Sequence, residues 1–182
     1  MPTVITHAVV GLTAVKVLVP PPVRPRIWLA GILAAVLADL DSFGLYLGIP
    51  YGHPLGHRGL SHSLLFGLLL GMLLAAILLH GRPRQEQLRL GLVFSLAAML
   101  HGTLDALTNG GLGVALFAPF DNGRIFFSVT PIEVSPIGLS GPALRRLVTV
   151  IGSEALWVWL PCGLLMLVSV LVRRLRRERG QT

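Results

Sequence analysis

Long apolar runs make up most of the chain, and short segments rich in proline, glycine and arginine separate them. A helix crosses the hydrocarbon core of a bilayer in about 20 apolar residues. Five stretches come close to that length, at residues 3–19, 27–49, 60–80, 88–108 and 154–172. Residues 109–142 are too irregular to span. The pattern therefore predicts an all-α integral membrane bundle of about five transmembrane helices, with a long outer loop between helices four and five.

The composition agrees with a membrane protein. Of the 182 residues, 53% are hydrophobic and 13% are charged, whereas a soluble domain carries about a quarter charged residues. We expect a single domain over residues 1–182 that ends in a basic cytoplasmic tail, 173–182. No basic segment precedes the first apolar run, so we expect a retained helix rather than a signal peptide. The one cysteine, Cys162, excludes a disulfide framework and a thiolate zinc site.

The basic residues predict the orientation, because cytoplasmic loops of membrane proteins are enriched in lysine and arginine. With the N-terminus outside and the C-terminus in the cytoplasm, only four of the fifteen basic residues face outwards. Those four are Arg58, Arg124, Arg145 and Arg146. We therefore expect a multi-pass protein of the inner (plasma) membrane. The net charge of +7 then reflects contact with the inner leaflet rather than a nucleic-acid partner.

Ionisable residues collect at one depth of this bundle, at its outer face. They are His7, Asp39, Asp41, His57, His62, His101 and Asp105. Each ionisable group inside a membrane costs about 2.5–3.5 kcal/mol on insertion scales, so several unpaired ones in one place are improbable. A single histidine is often only hydrogen-bonded within a bundle, but a shared divalent cation explains the convergence of all seven.

The local spacings suit metal ligation. His101 and Asp105 are four residues apart and project from one face of a helix, and imidazole with carboxylate suits zinc, iron or manganese. On a regular helix the side chains of Asp39 and Asp41 diverge by about 200°. We therefore expect one to bind the metal, with Asp41 preferred, and the other, Asp39, to act as a general base or to orient a ligand. His53 and His80 are expected in a loop and at the opposite interface.

Two further possibilities concern side chains near this cluster. Ser61 and Ser63 lack the strand-turn-helix context of a serine nucleophile, which favours helix capping or packing for them. Arg58 and Arg124 could bind a phosphate, because a guanidinium matches two phosphoryl oxygens; the alternative is two ordinary interfacial arginines.

Four motifs resemble the YdjM-like, LexA-regulated membrane-bound metal-dependent hydrolases: THAVVG at 6–11, ADLD at 38–41, HRGLSHS at 57–63 and LHGTLDALTNGG at 100–111. That family looks distantly similar to the zinc-dependent phospholipase C and single-strand nuclease superfamily, whose members are all-α. The resemblance implies metal ligands in the order His7, Asp39 or Asp41, His62, His101 and Asp105. The later HxxxE pair of that superfamily has no counterpart here, so one or two ions are expected, with zinc preferred over manganese or iron.

These observations predict a hydrolase that cleaves a phosphoester of a membrane lipid or lipid-linked substrate at the outer face, with residues 109–142 as a lid. A metal-coupled or proton-coupled transporter is the first alternative. Against it, the inner halves of helices two to four offer no ionisable group for a path through both leaflets. A non-catalytic metal-binding membrane protein is the second.

Overall fold

The computed structural model describes residues 1–136 and 141–179. The predicted loop residues 137–140, the side chain of Arg145 and the end of the predicted tail, 180–182, lie outside this description. The helices are α1 Val4–Leu18, α2 Pro25–Val36, α3 Phe43–Tyr46, α4 Leu64–Leu78, α5 Arg84–Ala106, α6 Gly141–Glu154 and α7 Leu160–Arg179. A 3₁₀ turn, Leu37–Ser42, joins α2 to α3, another, Leu60–His62, precedes α4, and a π-helical turn, Ala155–Trp159, joins α6 to α7. The all-α membrane bundle is confirmed.

Only three of the five predicted spans have full length. Pro25–Tyr46, Arg84–Ala106 and Arg146–Arg179 are long and apolar enough to cross a membrane. By contrast, α1 and α4 have 15 residues each, or about 22 Å of helix, less than a hydrocarbon core of about 30 Å. Pro20 ends the first helical stretch, and α4 begins only after Ser63, whose hydroxyl accepts a hydrogen bond from the Phe66 amide at 3.1 Å.

Small residues bring the helices of the core together. The core between α1, α2, α4 and α5 contains several alanines, among them Ala34, Ala35 and Ala97, around the fully buried Phe94. At Gly71 on α4, an added Cβ would lie 2.0 Å from the backbone nitrogen of Ser95 on α5. Such close contact lets van der Waals packing hold helices together where lipid provides no hydrophobic driving force.

The C-terminal helical stretch is longer than predicted. It begins at Gly141, inside the segment expected to be irregular, and continues to Arg179. Arg173 fixes it against α1, because its guanidinium donates to the carbonyls of Val17 at 2.9 Å and Val19 at 3.1 Å. These are carbonyls that the end of a helix leaves without intrahelical partners.

The connection after α5 folds back over the end of the bundle where α1 begins. Val114 and Ile125 form an isolated antiparallel bridge, and Thr108 pairs with Ile132. The carbonyl of Leu116 accepts a hydrogen bond from the Leu64 amide at 3.0 Å, so this connection contacts the first residue of α4.

Candidate metal centre

Four elements bring histidine and aspartate side chains to the end of the bundle where α1 begins. His7 lies in the first turns of α1, and His62 ends the 3₁₀ turn before α4. Asp39 and Asp41 lie in the 3₁₀ turn after α2, and His101 and Asp105 lie on the last turns of α5. Because consecutive helices run in opposite directions, their site-bearing ends meet, as the sequence analysis expected.

A buried group of four side chains, Asp39, His62, His101 and Asp105, forms the centre of the site. Each residue places one nitrogen or oxygen within 4.8 Å of the others. The Nε2 atoms of His62 and His101 are 3.0 Å apart. Asp39 Oδ1 lies 3.3 Å from His101 Nε2 and 3.6 Å from His62 Nε2, while Asp105 Oδ2 lies 3.5 Å from His62 Nε2.

Hydrogen bonds at the other ring nitrogens fix the tautomers of both histidines. His101 Nδ1 lies 2.7 Å from the Ala35 carbonyl, which can only accept, so Nδ1 carries the proton. His62 Nδ1 lies 3.0 Å from Asp41 Oδ2 and is assigned the proton for the same reason. In the neutral forms of both rings the Nε2 atoms carry no proton, and their lone pairs face each other across 3.0 Å. This opposition is unfavourable unless a cation or a proton lies between them.

The two aspartates have different surroundings. Asp41 accepts from His57 Nδ1 at 2.6 Å, from the Arg58 amide at 3.2 Å, and from the hydroxyl of Ser61. Together with His62 Nδ1 this gives its two oxygens four donors. Both oxygens of Asp39, in contrast, are buried without a hydrogen-bond partner. The geometry therefore favours Asp39 for a cation, whereas the sequence reasoning preferred Asp41.

His7 completes a second side of the centre. Its ring stacks on that of His101 with centroids 3.7 Å apart, and its Nε2 lies 3.4 Å from Asp105 Oδ1. Both ring nitrogens of His7 and both oxygens of Asp105 are buried without a well-directed hydrogen bond. Unsatisfied groups of this kind are rare in folded proteins because each costs about 1–3 kcal/mol or more.

These donors fit a divalent metal. At metal–ligand distances of about 2.0–2.1 Å, neighbouring ligand atoms of a tetrahedral or octahedral ion are separated by roughly 2.8–3.4 Å. The separations of 3.0, 3.3, 3.5 and 3.6 Å come close to that range. A cation would also supply a partner for the two facing Nε2 atoms and for the carboxylate of Asp39, which has no hydrogen bond.

Comparison with known proteins places the chain in a family. The model of the YdjM inner membrane protein family matches residues 1–178. The chain belongs to the YdjM family. This YdjM-family protein is also 39% identical over 168 residues to the inner membrane protein YbcI of Escherichia coli (strain K12), covering 91% of this chain and 95% of YbcI. No solved structure matches it.

In this YdjM-family protein Arg58 does not have the phosphate-binding position that we expected. Its side chain is fully buried, and Nε lies 3.0 Å from Asp105 Oδ2. The guanidinium also donates to the Gly110 carbonyl at 2.8 Å and to the Thr108 hydroxyl at 3.1 Å. Arg58 therefore orients Asp105 and ties it to the connection after α5, rather than facing a substrate.

Arg124 is engaged in a similar way. It donates to the carbonyls of His57 at 2.9 Å and of Tyr51 at 2.8 Å, and its guanidinium lies 5.5 Å from the centroid of the Tyr51 ring. Burial raises the pKa of the Tyr51 phenol above its usual value, so this ring is neutral at physiological pH. These hydrogen bonds hold residues 51–57 against the connection after α5, in which Arg124 lies. Arg124 therefore uses its donors within the protein rather than for a phosphate.

The remaining predicted histidines separate into two classes. His57 is 1% exposed, lies outside the four-residue group and binds Asp41 through Nδ1. Asp41, His57 and His62 are close enough to form a second candidate group, but hydrogen bonds already account for their short contacts. His53 and His80 are exposed, as expected. His53 Nδ1 accepts from the Leu55 amide at 3.1 Å.

Sequence reasoning missed Glu154, a fully buried carboxylate at the end of α6. It accepts hydrogen bonds from the Thr3 hydroxyl at 2.7 Å and from the Thr6 hydroxyl at 2.6 Å. Trp159 donates to the same Thr6 hydroxyl at 2.7 Å. This network fixes the start of α1, which carries His7. The available signal was a lone glutamate at the edge of an apolar span, which is costly unless it has partners.

Proposed function

We propose that this protein is a membrane-embedded metal-dependent hydrolase that cleaves a phosphoester of a lipid or lipid-linked substrate. The observation that carries the proposal is the pair of imidazole Nε2 atoms, 3.0 Å apart, beside the carboxylate of Asp39, whose two buried oxygens have no hydrogen-bond partner. Asp39, His62, His101 and Asp105 would hold the ion, with zinc preferred over manganese or iron. A divalent ion bound there would lower the pKa of a bound water and polarise the scissile group.

The protein's own residues supply a base beside this centre. His57 Nδ1 donates to Asp41 Oδ1 at 2.6 Å, and His57 Nε2 makes no hydrogen bond within the described part of the chain. A carboxylate that holds an imidazole in one tautomer is the arrangement of a general base. The His57 and His62 ring centroids are 5.4 Å apart, and we assign to His57 the role of accepting the proton of a nucleophile placed next to the ligands.

Access to the centre favours a lipid-linked substrate. Asp39 is the most exposed member of the four-residue group, with 11% of its side chain accessible, whereas the other three are at most 2% exposed. The residues that follow it, Leu40 and Phe43, are 55% and 62% exposed. The surface next to Asp39 is therefore apolar, which suits a substrate that stays in the bilayer. The phosphoester is chosen because the order of the ligands resembles that of the phospholipase C superfamily.

A transporter is less well supported by the described residues. Every buried ionisable side chain among them lies at the end of the bundle where α1 begins. The buried polar residues further along α1 and α5, Thr13 and Ser95, donate their hydroxyl protons to backbone carbonyls. A site open to one side suits an enzyme. In the topology predicted from the basic residues, that side is the outer face of the inner membrane.

The experiment combines metal analysis with a substrate screen. The purified protein, in detergent, is analysed for bound metal and tested on lipid phosphoesters with and without chelator. The variant His57→Gln should retain the metal and lose turnover by about 10²-fold or more, the usual contribution of a general base. His53→Gln, which removes an exposed histidine of the same loop, is the matched control.

Two results would reject the proposal. If the parent protein binds metal but cleaves no lipid ester in any metal form, it is a non-catalytic metal-binding protein. If proteoliposomes show a metal or proton flux that Asp39→Asn abolishes and no hydrolysis, it is a transporter.

A further inference from the structure

A second site lies at the opposite end of the bundle from the metal centre, between the end of α1 and the last turns of α7. There a cavity of about 580 Å³ has arginine side chains on one wall and apolar side chains on the other. The basic wall is formed by Arg173, Arg176 and Arg177, and the apolar wall includes Val17, Leu165 and Val168. The cavity is therefore polar where α7 ends and apolar towards the centre of the bundle.

The arginines of this wall have donors to spare. Arg173 uses one terminal nitrogen for the carbonyls of Val17 and Val19. Arg176 and Arg177 are exposed, and neither has a hydrogen bond or ion pair within the described residues. A guanidinium binds phosphate oxygens bidentately. The two unpaired guanidinium groups, together with the remaining donors of Arg173, should therefore attract a phosphate strongly.

An apolar groove continues from this cavity along α1. Val17, Leu18 and Leu165 belong both to the cavity and to a second one of about 320 Å³. The second cavity extends along α1 to Val10 and is bordered by Leu100 of α5 and by Trp157. The seven helical steps from Val10 to Val17 correspond to about 10 Å of helix. The groove is thus long enough for a large part of an acyl chain.

We propose that an anionic phospholipid binds here, with its phosphate between Arg173, Arg176 and Arg177 and an acyl chain in the groove between α1, α5 and α7. The charge of the arginine wall selects the anionic head group, and the apolar groove selects a lipid over a soluble anion. Basic pockets between transmembrane helices bind anionic lipids for these reasons. This site is independent of the proposed hydrolase, because none of the residues that form it belongs to the metal centre.

The test measures lipid binding to the full chain in detergent by native mass spectrometry, with dioctanoyl phosphatidylglycerol against dioctanoyl phosphatidylcholine. Each arginine near an anionic lipid contributes about fivefold in affinity, so the double variant Arg176→Gln/Arg177→Gln should bind phosphatidylglycerol roughly 25-fold more weakly. The matched control, Arg82→Gln/Arg174→Gln, removes the same charge outside the cavity and should change the affinity less than twofold. Thermal unfolding without added lipid checks that both double variants are folded.

Competition experiments separate the proposed ligand from other anions. Inorganic phosphate and a short single-stranded DNA should displace the lipid only at concentrations at least 100-fold above its own dissociation constant. The proposal is wrong if both lipids bind equally, if the two double variants are weakened alike, or if phosphate or DNA competes as well as the lipid does.

Discussion

The two aspartates of the ADLD motif should respond in opposite ways to removal of their charge. In Asp39→Asn the change affects a carboxylate without hydrogen-bond partners. If the free energy of zinc binding, about 10–16 kcal/mol in structural sites, is shared among four ligands, each contributes roughly 2.5–4 kcal/mol. Asp39→Asn should therefore weaken metal binding by about 10²- to 10³-fold. With chelator, its thermal stability should stay close to that of the parent, because Asp39 accepts no hydrogen bond that the substitution would remove.

Asp41→Asn should show the reverse. It replaces an acceptor of four hydrogen bonds by an amide that can accept at only one atom. With about 1.5 kcal/mol or more per bond to a charged acceptor, the loss of two bonds lowers the free energy of unfolding by roughly 3 kcal/mol. Metal affinity should fall by about 10- to 100-fold, as for residues that orient a ligand.

The assay is thermal unfolding in detergent, with chelator and with a series of free zinc concentrations. Zinc should raise the unfolding temperature of the parent strongly and that of Asp39→Asn least, because stabilisation by a ligand depends on its concentration relative to the dissociation constant. Parent-like zinc affinity in Asp39→Asn, together with complete loss in Asp41→Asn, would refute the assignment of Asp39 to the metal.

Three further predictions concern the ligands, the topology and the loop. Replacement of a ligand by alanine should sharply reduce the metal measured by mass spectrometry, whereas His53→Ala and His80→Ala should not; equal metal in His101→Ala and the parent would contradict the site. Reporter fusions at Gln85 and at Thr182, which lies outside the described residues, should both report the cytoplasm, and a periplasmic signal from either would reject the topology. Arg124→Ala should expose residues 51–57 to limited proteolysis while bound metal stays within about twofold, since Arg124 contacts this segment and no ligand. The alanine variants of the first of these three predictions are Asp39→Ala, His62→Ala, His101→Ala and Asp105→Ala.

Hydropathy and spacing were sufficient to predict which ends of the helices meet. Apolar runs separated by proline and glycine predict five helical stretches, and alternating direction then places His7, His62 and His101 at one end. The spacing of His101 and Asp105 was equally informative, because both lie on one regular helix, α5. These features depend on local sequence and on the bilayer, which is why the sequence contains them.

Details that depend on tertiary contacts could not be predicted. The change from α-helix to 3₁₀ helix at Leu37–Ser42 decides which aspartate lies beside the Nε2 atoms of His62 and His101. No local sequence signal marks this change. Arg58 and Arg124 were expected to face a substrate because arginine at an outer loop is usually solvated. Their carbonyl partners, such as Gly110 and Tyr51, lie about 50 or more residues away in the chain, so only the folded connection shows that their donors are used.

The close packing of the helices also sets the size of the space between the ligands. On α5, next to His101, an added Cβ at Gly102 would lie 2.1 Å from the carbonyl oxygen of His62. A methyl group there would push the turn that carries His62 outwards and lengthen the 3.0 Å separation of the two Nε2 atoms. The absence of a side chain at Gly102 therefore limits the radius of the ion that the proposed site would accept. Gly102→Ala should shift the relative affinity of the site towards larger ions, such as manganese over zinc, without changing any ligand.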